Sequence, residues 1–134
     1  MKDDALSLIG LIKKSGFLEA GEENCGAACR AGKARALLLA GDAAGNTARR
    51  AEHFAGAGRV KLIVTPFSKD ELGTMVGLPG CALMAICDSG LASLFLSKLA
   101  LKDEKYRQDA EEFKIKAEKA AQRKKEMKKH RTGR

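Results

Sequence analysis

Gly21-Glu22-Glu23-Asn24-Cys25-Gly26-Ala27-Ala28-Cys29-Arg30-Ala31-Gly32-Lys33-Ala34-Arg35-Ala36-Leu37-Leu38-Leu39-Ala40-Gly41-Asp42 decides the fold. It reads as a helix that opens on one glycine, stops at a second and feeds a strand buried on both faces. The strand ends at an acidic residue, and Asn46-Thr47 then starts another helix. Glycine and polar residues gather at the helix start, where free N–H groups and the positive end of the helix dipole can meet a phosphate or a base edge. Gly26 and Gly32-Lys33 invite a P-loop reading, but five residues separate the glycines where that motif needs four. Ala34 also stands where its magnesium-binding Ser or Thr belongs. The stretch holds no nucleophile constellation.

Outward from this stretch, strands and helices alternate. Asp4–Lys14 carries Ala5, Leu8, Ile9 and Ile12 at helical spacing, with Leu6 and Leu11 widening the stripe, and Gly16 ends it. Phe17-Leu18 is a short extended entry. After the strand over 35–40, a helix over 47–57 is capped by Asn46 or Thr47, and a strand over 60–65 stops at Pro66. Ser68 and Glu71 form a capping-box pattern for a helix over 69–76, and Gly77-Leu78-Pro79-Gly80 makes a tight loop. Cys81–Cys87 is another buried strand. Asp88-Ser89-Gly90 opens a helix over 91–101 with a stripe of Leu91, Leu94, Phe95 and Leu99. This order predicts an α/β sheet covered by helices on both faces.

The chain's 134 residues make room for one ordinary domain and a modest extension, and its 45% hydrophobic content supports an aliphatic core. We read 1–101 as the domain and 102–134 as a basic helical or partly disordered tail. Tyr106 and Phe113 are its large apolar residues, so the tail is docked there and frays beyond. The longest apolar runs are strand-sized, and Met1-Lys2-Asp3-Asp4 lacks a secretory pattern, which predicts a soluble cytoplasmic protein without membrane contact.

Charge is uneven. Residues 1–101 hold 12 Lys/Arg against 10 Asp/Glu, whereas 102–134 hold 13 against 7. Lys124, Lys125, Lys128, Lys129, Arg131 and Arg134 cluster with only Glu126 among them, as phosphate-contacting residues would. The four cysteines include no CxxC pair. Cys25 and Cys29 lie one helical turn apart, while Cys81 and Cys87 flank a strand and stand ~20 Å apart. Small buried thiols, reduced and without metal, are expected.

With those elements placed, the chain resembles the L-seven-Ae/L-thirty-e family of ribosomal RNA-binding domains, in its bacterial YlxQ-like branch. The matching residues are Gly21-Glu22-Glu23, Gly32-Lys33-Ala34-Arg35, Leu37-Leu38-Leu39-Ala40, Asp42-Ala43 with Asn46-Thr47, Leu72-Gly73 with Val76-Gly77, and Ala85-Ile86 with Asp88-Ser89-Gly90-Leu91-Ala92. They fall in order over about residues 5–100. The resemblance implies a three-layer α-β-α sandwich with a small mixed sheet that grips kinked or looped RNA, ribosomal or in another ribonucleoprotein.

The family's RNA site joins the start of helix two to the loop before the last strand. Carried over, it comprises Gly21, Glu22, Glu23, Asn24, Ala27, Lys33, Lys69, Leu78, Pro79, Gly80, Cys81 and Ala82. Family members open helix two with Gly-x-Asn-Glu-x-x-Lys. Here Glu23, Asn24 and Ala27 replace the last three named residues, and Cys81 replaces a frequent Arg. A carboxylate at Glu23 accepts from base amino groups but repels phosphate, and Ala27 neutralises none. The expectation is a non-catalytic RNA-binding protein with no cofactor and no small-molecule substrate. The alternative is a protein-interaction module of the same fold with a weakened or absent RNA site.

Overall fold

The computed structural model describes residues 3–132, with side chains through Lys128. The chain forms two compact units that divide after Asp88. The first holds four strands, β1 (Leu18–Ala20), β2 (Ala36–Leu39), β3 (Leu62–Val64) and β4 (Leu83–Ile86), in the order β1-β4-β2-β3. β2 and β3 are parallel, and β4 runs antiparallel to both β1 and β2. The sheet is mixed, as the resemblance implies, and its central strands are the most continuous apolar runs. Every residue of β2 and β4 is buried. β3 lies at an edge, so only Ile63 is buried, and Val64 is exposed.

Four helices accompany the sheet: α1 (Asp4–Lys14), α2 (Glu22–Arg30), α3 (Gly45–Gly58) and α4 (Lys69–Val76). Side chains alternate across a strand. Leu37, Leu39, Leu83 and Ala85 therefore face one way, where they cluster with Cys25, Ala28 and Cys29 of α2 and Ala51 and Ala55 of α3. The alternate residues Leu38, Met84 and Ile86 are fully buried on the other face. α1 and α4 pack together, burying Ala5, Leu8, Ile9 and Ile12 from one and Leu72 and Val76 from the other. The result is a three-layer α-β-α arrangement. The α1 stripe is narrower than its sequence suggests: Leu6 is only half-buried and Leu11 is 58% exposed, since four residues at helical spacing fill the available face.

Because β1, β2 and β3 run the same way, α2, α3 and α4 all start at one end of the sheet and finish at the other. The start end is tied together by Thr65, whose buried hydroxyl donates to the Leu39 carbonyl at 3.0 Å. At the finish end each helix closes on a left-handed residue: Gly16 after α1, Gly32 after α2 and Gly77 after α4, but Arg59, φ 53°, after α3. Val60 N–H reaches back to the Ala55 carbonyl at 2.9 Å, the six-residue closure of a Schellman turn.

Helix α3 departs from the sequence reading. It begins at Gly45, with Ala44 preceding it and no side-chain cap; neither Asn46 nor Thr47 is the cap. They are the second and third residues of the helix, and the Asn46 side chain instead accepts from the Arg49 guanidinium. Ser68 and Glu71 do form the expected capping box on α4, at 3.0 and 2.9 Å.

The second unit contains α5 (Ser89–Lys102), a 3-10 turn over Glu104–Tyr106 and α6 (Arg107–Thr132). α5 and α6 pack on each other. Ala92, Phe95, Leu96 and Leu99 form the buried side of α5, whereas Leu94, expected in the stripe, is 43% exposed. Tyr106 and Phe113 are buried as expected. α6 continues to Thr132 as one helix where the sequence suggests fraying; the i, i+4 pairs Glu112–Lys116 and Lys114–Glu118 support it only as far as residue 118. Among the described residues no helix is long and apolar enough to cross a membrane.

Candidate nucleic-acid interface

Gly21 ends β1 and starts α2 with φ 93°, which a residue with a Cβ rarely adopts. Its N–H donates to Leu83 O at 2.9 Å, fixing the helix start against the first residue of β4. No side chain caps α2, so the first amides of the helix face outward. Asn24 is exposed and turns its amide nitrogen back to Ala20 O at 3.0 Å, which leaves its side-chain oxygen directed away from that bond.

The loop before β4 comes to the same place by a close backbone approach. Leu78 N–H closes α4 on Gly73 O at 2.9 Å, and the chain then climbs back along α4 until Cys81 N–H donates to Lys69 O at 3.0 Å. A Cβ on Gly73 would lie 2.7 Å from Leu78 O and 2.8 Å from the Gly80 Cα, so only glycine admits the return. Lys69 N–H is held by Asp42 Oδ1 at 2.8 Å, and Ala40 N–H by Ala82 O at 2.9 Å. Gly21–Asn24, Lys69 and Gly80–Ala82 are therefore brought to one end of the sheet.

Not every expected residue belongs there in the same sense. Leu78, Pro79 and Gly80 are exposed and form an apolar lip, but Cys81 is buried with its thiol on Leu83 O at 3.3 Å and offers nothing to a partner. Ala27 is exposed one turn into α2. Lys33 is separated from the group: it follows α2 and lies at the opposite end of the sheet, its N–H bonded to Ala28 O at 2.9 Å. Of the tail residues, Lys124, Lys125 and Lys128 are exposed on α6, while the side chains of Lys129 and Arg131 and all of Arg134 lie outside the described residues.

The charges at the α2 start are mixed. Glu22 pairs with Arg50 of α3 at 3.0 Å, and that hydrogen bond, aided by Thr47, holds the carboxyl below its ordinary range. Glu23, Asp42, Asp70 and Glu71 are also exposed at this end, against Lys69, Arg49 and Arg50. Arg49 and Arg50 escape the sequence reading because only the pairing of α2 with α3 brings them beside Glu22. The available signal is that both helices start at the same sheet end.

All four cysteines are free thiols, and Cys25, Cys29 and Cys87 lie on the α2 side of the sheet. Burial pushes the Cys25 thiol far up, and the nearby Cys81 thiol pushes it further; burial also raises Cys29 and Cys87. Such thiols are poor nucleophiles. Among the described residues no three His, Cys, Asp or Glu side chains gather as a metal would require.

No family model matches the chain, and no curated protein matches it. Among solved structures it is similar to a protein of unknown function from Bacillus halodurans C, with a TM-score of 0.67 and 22% identity over 73% of this chain and 98% of the other. At that identity the likeness establishes a shared fold.

Proposed function

We propose that this chain is a non-catalytic RNA-binding protein of the L-seven-Ae/L-thirty-e type, working in the cytoplasm on ribosomal or other translation-associated RNA. The observation that carries the reading is the convergence of the uncapped α2 start with Lys69 and Gly80–Ala82 at one end of β4, with the exposed apolar Leu78 and Pro79 leading back from it along α4. Outward amides and Asn24 offer donors and acceptors to base edges, and the lip offers a surface for an extruded base. Kinked or looped RNA supplies both, because its bases are splayed from the stack. The exposed lysines of α6 add phosphate attraction that carries no sequence information.

A protein-interaction module of the same fold is the second reading, and the carboxylates around Gly21 favour it. The deciding experiment is a chemical-shift titration of the full chain with a hairpin RNA carrying an asymmetric internal bulge. Shifts at Gly21–Asn24 and Leu78–Ala82 are expected. Asn24→Lys should tighten binding and steepen its salt slope by ~0.7–0.9, while Glu52→Lys on the exposed side of α3 should do so less. Binding that leaves Gly21–Asn24 and Leu78–Ala82 unshifted refutes the assignment.

A further inference from the structure

The finish end of the first unit, away from the α2 start, gathers cations from two separate segments, 30–35 and 59–61. Lys33 and Arg35 follow α2; Arg59 and Lys61 follow α3; Arg30 is the last residue of α2. All five are exposed. The sheet sets Arg35 and Lys61 in a row with Phe17 and Cys87. Cys87 N–H donates to Phe17 O at 2.8 Å, Arg35 N–H to Ile86 O at 2.8 Å and Leu37 N–H to Lys61 O at 3.1 Å. Phe17, Cys87, Arg35 and Lys61 thus succeed one another across the strand ends at ~4.8 Å intervals, about 14 Å in all. Lys33 and Arg35 both lie near enough to Cys87 to act on its thiol, and Gly58, next to Arg59, packs against Cys29, next to Arg30. The carboxylates facing this group are Glu19, one pleat inward on β1, and Asp88, which follows Cys87.

Two details distinguish this end from an ordinary solvated surface. Phe17 is 43% exposed at the end of the row, a large aromatic ring two strands from Arg35. Arg59 occupies the left-handed helix closure that glycine fills in α1, α2 and α4. Holding a side chain there is unfavourable, and the side chain held is a guanidinium.

We propose that this end is a second nucleic-acid surface, one that takes a single-stranded RNA segment: phosphates along the Arg35–Lys61 row with Lys33 and Arg59 beside it, and an unpaired base stacked on Phe17. The exposed ring favours RNA over an acidic protein, because stacking on an aromatic face within a basic groove is how unstructured nucleic acid is held. The inference goes beyond the structured-RNA reading and stands apart from it: α2 separates the two ends by about 14 Å, so one RNA reaches both only if a strand of several nucleotides extends from its folded part.

The test uses the full chain with an oligoadenylate RNA of about twelve nucleotides, titrated by anisotropy across a salt series, with polyglutamate of similar charge as the control anion. Each phosphate contact contributes a slope of ~0.7, or about five-fold in affinity near 0.1 M salt. Lys33→Glu with Arg59→Glu should weaken oligoadenylate binding by at least ~25-fold and lower the slope by ~1.4 or more. Phe17→Ala should weaken it by about five-fold or more at unchanged slope. Because Phe17 is partly buried, Phe17→Tyr, which retains a stacking ring, should restore affinity. Unchanged oligoadenylate binding in the double variant overturns the proposal, and so does polyglutamate binding as tightly as RNA with Phe17→Ala silent. Loss of bulged-hairpin binding with oligoadenylate binding intact counts against the structured-RNA reading alone; the reverse pattern counts against this surface alone.

Discussion

Replacing Arg59 with glycine separates the backbone's preference from the side chain's use. Arg59 sits at φ 53°, ψ 44°, where its Cβ crowds the following carbonyl, an arrangement that costs an L-residue ~1–2 kcal/mol. Glycine relieves this but enters folding with more backbone freedom to lose, ~0.5–1 kcal/mol. The difference leaves Arg59→Gly more stable by about 0.5–1 kcal/mol, which in a chain of this size raises Tm by roughly 2–5 °C. Arg59→Ala keeps the strained φ and removes the same guanidinium, so its stability should stay within ~0.5 kcal/mol of the parent. Urea unfolding followed by circular dichroism measures both, with an unchanged m-value as the check that only stability has moved. Both variants should lose the same factor in oligoadenylate affinity. If glycine proves no more stable than alanine, the strain argument fails, and Arg59 stands at that closure for its contacts rather than in spite of its backbone.

Gly73→Ala should lower stability by ~1–3 kcal/mol and displace the Leu78–Gly80 lip, because the new methyl meets backbone at 2.7 and 2.8 Å; a parent-like melting curve contradicts the close approach. The Glu22 carboxyl is held low by Arg50, so its small contribution is present above the unfolded carboxylate pKa and fades as pH falls through the lower folded value. Glu22→Gln should therefore be slightly less stable than the parent at pH 7 and indistinguishable from it once the pH has fallen below the lowered folded value, by thermal melts. Thiol labelling at pH 8 should be slow for Cys25, Cys29 and Cys81 in the folded chain and rapid for all four thiols in denaturant; fast native labelling of Cys25 contradicts its burial. Deleting 119–134 should weaken every RNA tested by a similar factor and flatten the salt slope, with the melting of the rest nearly unchanged.

The elements were legible where local chemistry alone decides them. Ser68 with Glu71, Gly16, Gly32 and the all-apolar β2 and β4 each carry their signal within a few residues. Boundaries failed where tertiary packing overrides a local preference: Asn46 and Thr47 look like caps, yet α3 starts earlier at Gly45. Leu94 and Leu11 looked like core because periodicity gives a helix's apolar face but not how much of it a neighbour covers. The site was legible only as far as one segment could show it. Lys33 reads as part of a Gly-Lys motif beside Gly21, yet nine residues of α2 carry it to the far end of the sheet.

That displacement has an electrostatic consequence. Over residues 3–88 the chain has ten Lys/Arg and ten Asp/Glu, so net charge gives no hint of a polyanion partner. Their distribution is uneven. Carboxylates concentrate where the helices begin and cations where they finish, which complements the helix dipoles and stabilises each helix by a few tenths of a kcal/mol per charge. That accounts for Arg30 in the last turn of α2, but the dipole effect falls off within that turn. Lys33, Arg35 and Lys61 stand beyond it, on turns and strand entries where helix stability gains little from them. On the proposed RNA-binding reading, a neutral body with separated ends would orient an approaching RNA before contact, phosphates toward Arg35 and Lys61 and away from Glu23 and Asp70. Base edges, which carry no formal charge, can still approach the carboxylate-lined α2 start. Charge separation within the body thus suits a division of labour in which one end takes phosphates and the other reads bases. Neutralising the finish end should slow association more than it speeds dissociation, and a change confined to the dissociation rate would refute a steering role.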